Sequence, residues 1–280
     1  MLRKDLRKSL PGAVGTTDPA EITRFNALAE EWWNPEGAFK VVHTFNRVRV
    51  AHIARRLPVL LQRDPRSAQP LAGAKIIDVG CGAGLVTEPI SRLGGDVLGI
   101  DAAEHNVLVA ERHARLSGAF FRYRHALVED CADQFETFDA VLSLEVVEHV
   151  TNLTGFLAAL GRLVMPGGTL VIGTLNRTLR SHVKAIIAAE HASGWLPHGT
   201  HDWRKLVTPE ELDFTLKRYG FEMAETCGVA LSPWTMRWAQ HRSQHQLPAV
   251  PSQAGMMPAA RKIPIGVDAT TFEALGFKLI

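Results

Sequence analysis

Cysteine is scarce in this 280-residue chain: Cys81, Cys131 and Cys227 are the only three, widely spaced and odd in number. That pattern argues against a disulfide framework and fits a reducing compartment. Charge of one sign is also lacking. The 31 basic residues face 29 acidic ones for a net charge of +2, so no overall field marks a nucleic-acid binder. No run of about 18 apolar residues occurs, which argues against a membrane-spanning helix and leaves peripheral binding open. The basic opening MLRKDLRKSLPG has no apolar segment behind it, so it does not read as a secretory signal, and Asp5 and the short length weaken a transit-peptide reading. Internal repeats are absent as well.

What is present is a 46% hydrophobic composition, ample for one large α/β domain with additions. Helices are expected over residues 20–31 and near Arg47. Strand candidates at 75–80, 97–101, 120–125, 138–144 and 169–174 alternate with helical stretches near 85–93, 103–116 and 153–163. Such alternation predicts a doubly wound, mostly parallel Rossmann-like sheet. MPGG at 165–168 is expected to stop the chain between the last helix and strand. An insert of about residues 177–207 follows, then a capped helix over 208–219 and FEMAETCGVALSPW as an antiparallel edge strand. The chain thus divides into a flexible basic start (1–19), a single domain (20–240) and an atypical, disordered-looking tail (241–280).

The densest signal is IIDVGCGAGLVTEP, residues 76–89. A buried strand ends in Asp78, and Gly80, Gly82 and Gly84 then allow a sharp turn with no side chain between the backbone and a ligand. A dinucleotide fingerprint fails because its last small position is Leu85. An acid before the turn suits a cationic ligand such as S-adenosylmethionine, which carries a sulfonium, an ammonium and a ribose but no phosphate. Asp101 closes the next strand about 20 residues past the loop, where such folds place a carboxylate on the ribose hydroxyls; it also reads as a helix N-cap.

Taken together, DVGCGAG, Asp101, FDAVLSLEVVEHV and LVMPGGTLVIGTLNR resemble class I S-adenosylmethionine-dependent methyltransferases. RFNALAEEWWNPEGAFKVVHTFNRVRVAHI, GTLNR and PHGTHDWRKLVTPEEL narrow the resemblance to the ubiquinone-biosynthesis O-methyltransferase family, over about residues 20–238. Two departures stand out: Arg47 replaces a proline usual in the family, and the family's closing strand is not recognisable in the tail. The resemblance implies cofactor contacts at Arg49, Gly80, Asp101 and Leu144, beside Asp78, Gly82 and Gly84 of the loop. It implies a polyprenyl phenol or demethylubiquinol substrate, a cytoplasmic enzyme peripheral on the inner membrane (or on a mitochondrial matrix face), and a place in a ubiquinone-biosynthesis complex, with no nucleic acid.

A phenol near pKa 10 is mostly protonated at neutral pH, so transfer needs a base or a metal. Glu145, Glu148 and His149 in EVVEH share one face if the segment is helical. They are candidate ligands for Mg2+ or another divalent ion, as the eukaryotic side of the family implies; His149 as direct base and a structural or cofactor-facing role are the other readings. His43, His198 and His201 read as lid residues before substrate ligands. Trp32 and Trp33 read as packing under an N-terminal lid before a quinone cage. In the insert, Leu179, Val183, Ile186 and Ile187 would share a helical face opposite Arg180 and Lys184, with Trp195 and Trp203 nearby. Residues 178–203 therefore suit a helix lying in a membrane interface, or one covering the site. Rival functions are O-methylation of a soluble phenol and a non-catalytic subunit that keeps the cofactor fold as scaffold.

Overall fold

A computed structural model of the chain describes residues 15–118, 121–175, 206–231, 238–243 and 255–262. Asp18 caps the first helix, α1 (Pro19–Ala27), by accepting the Ala20 N–H at 3.1 Å, with Pro19 at the first helical position. A short 3-10 turn leads to the long α2 (Lys40–Leu60), which carries Pro58 inside its last turn. The helix expected near Arg47 thus includes that residue but begins about two turns before it. Five parallel strands follow: β1 (Lys75–Val79), β2 (Asp96–Asp101), β3 (Arg122–His125), β4 (Phe138–Leu144) and β5 (Val164–Leu175). Between them run α3 (Thr87–Ser91), α4 (Glu104–Leu116), α5 (Val128–Asp133) and α6 (Leu153–Leu163). Asn152 caps α6 through the Gly155 N–H, and α7 (Pro209–Lys217) starts with a reciprocal Thr208 and Glu211 capping box.

Strands β6 (Phe221–Leu231), β7 (Trp238–Ser243) and β8 (Gly255–Lys262) complete an eight-stranded sheet in the order β3-β2-β1-β4-β5-β8-β6-β7. Both faces are covered. Leu157, Leu160, Leu212 and Leu216 of α6 and α7 pack on one, and Ile53, Leu57 and Ile90 of α2 and α3 on the other. This two-sided burial is why β1 and β4 read as continuous apolar runs.

Four expectations are corrected. MPGG does not separate helix from strand: β5 already pairs Val164 with Phe138, and residues 165–168 bulge before pairing resumes at Thr169 with Ala140. β6 is not an edge, because β8 pairs with it on one side and β7 on the other. The tail is not structureless throughout, since β8 lies antiparallel between β5 and β6. Within the supposedly flexible start, Thr16 is buried; its N–H donates to Glu129 Oε1 at 2.8 Å and its carbonyl accepts the Thr151 N–H at 2.9 Å. Residues 176–205, which hold most of the insert with His198 and His201, lie outside the described residues.

Helix α2 is tied to β6 by one carboxylate. Arg56 Nε donates to both Glu225 oxygens, at 3.1 and 2.8 Å, and His52 Nε2 lies 3.6 Å from Oε1. Burial would raise the Glu225 carboxyl, but hydrogen bonds from His52 and Arg56 outweigh it and hold it at about 2. Burial lowers His52, yet its contacts with Cys227 and Glu225 bring it to about 9. The carboxylate therefore stabilises the fold above its unfolded pKa of about 4.3 and loses that contribution as pH falls toward 2. The imidazolium stabilises it below about 6.5 and loses that contribution as pH rises through 9. Glu225→Gln is expected to lower the melting temperature by about 3–6 °C near pH 5.5. The gap from the parent should shrink strongly in melts at pH 2.5, and only in part at pH 9.5, where His52 is neutral but Arg56 still holds the carboxylate; a pH-independent gap contradicts the assignment.

Candidate active site

Strand order reverses between β1 and β4, and the crevice at that switch point is where sheets of this class bind ligands. A cavity of about 240 Å³ opens there. The ends of β1, β2 and β4 deliver Asp78, Asp101 and Leu144 to it, and the glycine loop delivers Gly80 and Gly82. Both Gly80 and Cys81 donate their N–H groups to the Ile100 carbonyl, so the loop is pinned to β2. Gly80 and Gly82 have φ of +75° and +54°. A Cβ on Gly80 would strike Val146, and one on Gly82 would come within 2.7 Å of the Trp32 ring. Gly84 lies outside the cavity; its missing side chain makes room for the Tyr123 hydroxyl.

Asp101 forms a cap-like turn and also anchors the glycine loop, a role its strand-end position did not announce. Its Oδ1 accepts the Ala103 N–H at 2.8 Å, a cap-like turn, and Asn106 Nδ2 at 3.2 Å. Its Oδ2 accepts the Gly82 N–H at 2.9 Å and so fixes the loop. A carboxylate offers about four acceptor sites; these bonds use three, leaving one on Oδ2, and the residue lines the cavity. Trp32 Nε1 donates to Asn106 Oδ1 at 2.9 Å, and Trp33 Nε1 to the Ala83 carbonyl at 3.0 Å. Trp32 stacks on Phe39, Trp33 on His113, and His43 Nε2 contacts the Trp32 carbonyl. The tryptophan pair is a clamp on the glycine loop.

Arg49 reaches the cavity from α2 and is only 4% exposed. Its Nε and Nη2 donate to Asn46 Oδ1 at 3.0 and 2.8 Å, while Asn46 Nδ2 donates to the Leu85 carbonyl at 2.8 Å. Nη1 has no hydrogen-bond partner among the described residues and lies 3.8 Å from Glu145 Oε1. A buried, held guanidinium with one nitrogen lacking a hydrogen-bond partner is chemically suited to receive a carboxylate. Burial raises Asp78 to about 6, against the Thr87 hydroxyl, which donates at 2.7 Å, and the Arg49 charge.

EVVEH is not helical. Glu145 has φ +60° and donates its N–H to the Gly173 carbonyl, and residues 147–149 form a turn closed by His149 N–H to the Val146 carbonyl. The three side chains therefore do not share one face: Glu145 and Glu148 stay neighbours while His149 turns to α1. Glu145 faces Arg49, Glu148 Oε2 accepts the Thr174 hydroxyl at 3.0 Å, and His149 Nδ1 sits 3.1 Å from Glu21 Oε2. Among the described residues no three His, Cys, Asp or Glu side chains converge as a metal would need. The expected set of Glu145, Glu148 and His149 for Mg2+ or another divalent ion does not fit this arrangement. Burial, with the Glu148 carboxylate beside it and only Arg49 opposing, holds the Glu145 carboxyl well above its usual range.

Asn46, Asn106 and Glu21 escape a reading of the sequence. Each works by supporting another polar group across 3 to 128 residues, and only Asn46, one helical turn before Arg49, leaves a trace in spacing.

The methyltransferase domain family is matched over residues 48–226. A ubiquinone biosynthesis O-methyltransferase of Mesorhizobium japonicum is 46% identical over 227 residues, which cover 81% of this chain and 91% of that protein. One of Rhizobium johnstonii is 44% identical, covering 81% and 92%. Among solved structures, magnesium protoporphyrin IX methyltransferase from Synechocystis with bound SAH shares the fold at a TM-score of 0.59 and 20% identity, covering 87% of this chain and 98% of that one. A glycine loop clamped between β1 and β2, a strand-end acid on that loop and relatives nearly half identical across four-fifths of the chain agree: this chain belongs to the ubiquinone biosynthesis O-methyltransferase family.

Proposed function

We propose that the protein is an S-adenosylmethionine-dependent O-methyltransferase acting on a ring hydroxyl of polyprenylated phenol or catechol intermediates in ubiquinone biosynthesis. The observation that carries this is a cavity with two chemistries. Arg49, Asp78 and Asp101 supply charged lining, and Ile22 and Phe25 of α1 with Leu28 just past its end supply apolar lining, with His149 also at the cavity. The open Nη1 of Arg49 and the spare acceptor on Asp101 Oδ2 fit the methionine carboxylate and a ribose hydroxyl. Gly80 and Gly82 leave the backbone bare for the body of the cosubstrate, and Leu144 packs beside it. S-adenosylmethionine, bound there, supplies a methyl group on a positively charged sulfur, made electrophilic without help from the protein.

The protein's share is alignment and proton removal. Holding both reactants in line accounts for up to about 7–11 kcal/mol of barrier in favourable systems. His149 takes the phenolic proton as the oxygen attacks. The Glu145 carboxyl, raised by burial and by its neighbour Glu148, does not set a second full negative charge against Arg49 at neutral pH. Among the described residues no helix is long and apolar enough to cross a membrane. Peripheral docking on the cytoplasmic membrane face through 178–203, and membership of a biosynthetic complex, rest on the composition of the insert and the chemistry of a lipid-held substrate.

Purified protein incubated with labelled methyl donor should methylate a short-chain demethylubiquinol in preference to a soluble catechol, with and without chelator. Equal or greater turnover of the soluble catechol overturns the substrate class. Loss of transfer on chelation overturns His149 as the unaided base. No transfer to either acceptor, with donor bound, favours the scaffold reading.

A further inference from the structure

We infer that Glu21, on the N-terminal helix, is the positioning residue that makes His149 a base. This rests on the reading of His149 as the group that takes the acceptor's proton. Glu21 Oε2 lies 3.1 Å from His149 Nδ1, and both side chains are mostly buried, 18% and 15% exposed. The same oxygen accepts Arg24 Nη2 at 2.6 Å, one turn along α1, so the carboxylate is held by its own helix before it meets the imidazole. Phe25 packs edge-on against the His149 ring, with centroids 5.2 Å apart and planes at 89°. Helix α1 thus fixes both the nitrogen and the plane of the ring.

A neutral imidazole carries its proton on one nitrogen and a lone pair on the other, and the hydrogen bond made by one nitrogen decides which is which. A carboxylate at Nδ1 keeps the proton there and leaves the lone pair on Nε2. When the phenol is deprotonated, its O–H bond breaks, the proton moves to Nε2, and the oxygen electron pair is freed to attack the methyl carbon. The imidazolium so formed faces an anion across 3.1 Å. A base oriented by a third group in this way is the general form of an activated site. The consequence is specific to this fold: Ile22 and Phe25 of the acceptor wall and the orienting carboxylate arrive on the same helix. The base is complete only where the acceptor pocket is complete.

The test separates a proton-transfer role from a structural one by changing the acceptor. An unactivated catechol needs its proton removed during transfer; a nitrocatechol is already ionised at assay pH. Glu21→Ala is expected to lower kcat with the unactivated catechol by about 10- to 100-fold, in the range of general-base effects, and with nitrocatechol by less than about threefold. Glu21→Gln, which keeps an acceptor oxygen without the charge, should fall between parent and Glu21→Ala on the unactivated catechol alone. His149→Ala should show the same acceptor dependence, and the double variant Glu21→Ala/His149→Ala should be no slower than His149→Ala. Calorimetric affinity for S-adenosylhomocysteine should match the parent in all of them. Equal losses on both acceptors for the Glu21 variants, or additive losses in the double variant, overturn the inference while leaving His149 in place. Equal losses on both acceptors for His149→Ala overturn the base reading itself.

Discussion

Asp101→Ala should bind S-adenosylmethionine about a hundredfold or more weakly in calorimetry, and should melt several degrees lower, because one side chain serves both ligand and loop. Its two oxygens receive the N–H groups of Gly82 and Ala103 and the amide of Asn106. Leaving buried donors without partners costs about 1–3 kcal/mol each. Losing Gly82's anchor lets the loop leave the geometry that Gly80 and Gly82 hold at positive φ. Losing the fourth acceptor site removes the ribose contact, worth about another 1.5–3 kcal/mol as a charge-assisted bond. Asp101→Asn separates the two effects: the amide oxygen can still take some of the donors, so the melt should recover more than the affinity. An Asp101→Ala protein that folds and binds the cosubstrate as tightly as the parent contradicts the proposed site.

Arg49→Met should weaken S-adenosylhomocysteine by about 10- to 100-fold and leave 5′-methylthioadenosine, which lacks the amino-acid carboxylate, within about threefold of the parent. The split follows from how the guanidinium is held. Asn46 occupies Nε and Nη2, Nη1 has no hydrogen-bond partner among the described residues, and the residue lines the cavity. Methionine keeps the packing of the stem against α2 and removes only the fork. The substitution also takes away the positive charge opposing burial at Asp78 and Glu145, so both carboxyls should titrate higher than in the parent. Equal weakening of the two ligands would show that Arg49 holds the loop in place and does not pair with the carboxylate.

The parallel half of the fold is readable because its signals are local. Residues 138–144 and 153–163 are delimited to the residue, the first an apolar run, the second opening on an asparagine cap. Asp78, the glycine loop, Asp101 and Arg49 all line or frame the cavity where the sequence puts them, with Gly84 displaced to a packing contact. What escapes depends on distant partners. In EVVEH the i, i+3, i+4 spacing suggests a helix face, yet the Gly173 carbonyl captures the Glu145 N–H and turns the chain the other way. The α1 residues show only an amphipathic pattern, since nothing in the sequence says that Glu21 will meet His149. Segment 255–262 carries Pro258 and no alternation, and becomes a strand because β5 and β6 present two open edges to it.

That last strand sets the order in which the protein can be built. When a ribosome has released β5 and β6, the slot between them is still empty, and the nascent chain must hold it open until residue 262 emerges. Translation runs at about 5–20 residues per second, so the exposed edges persist for seconds, long enough for a chaperone or a neighbouring chain to engage them. A premature stop near residue 250 would spare every group proposed here to act on the methyl donor or the phenol and still yield a sticky half-sheet.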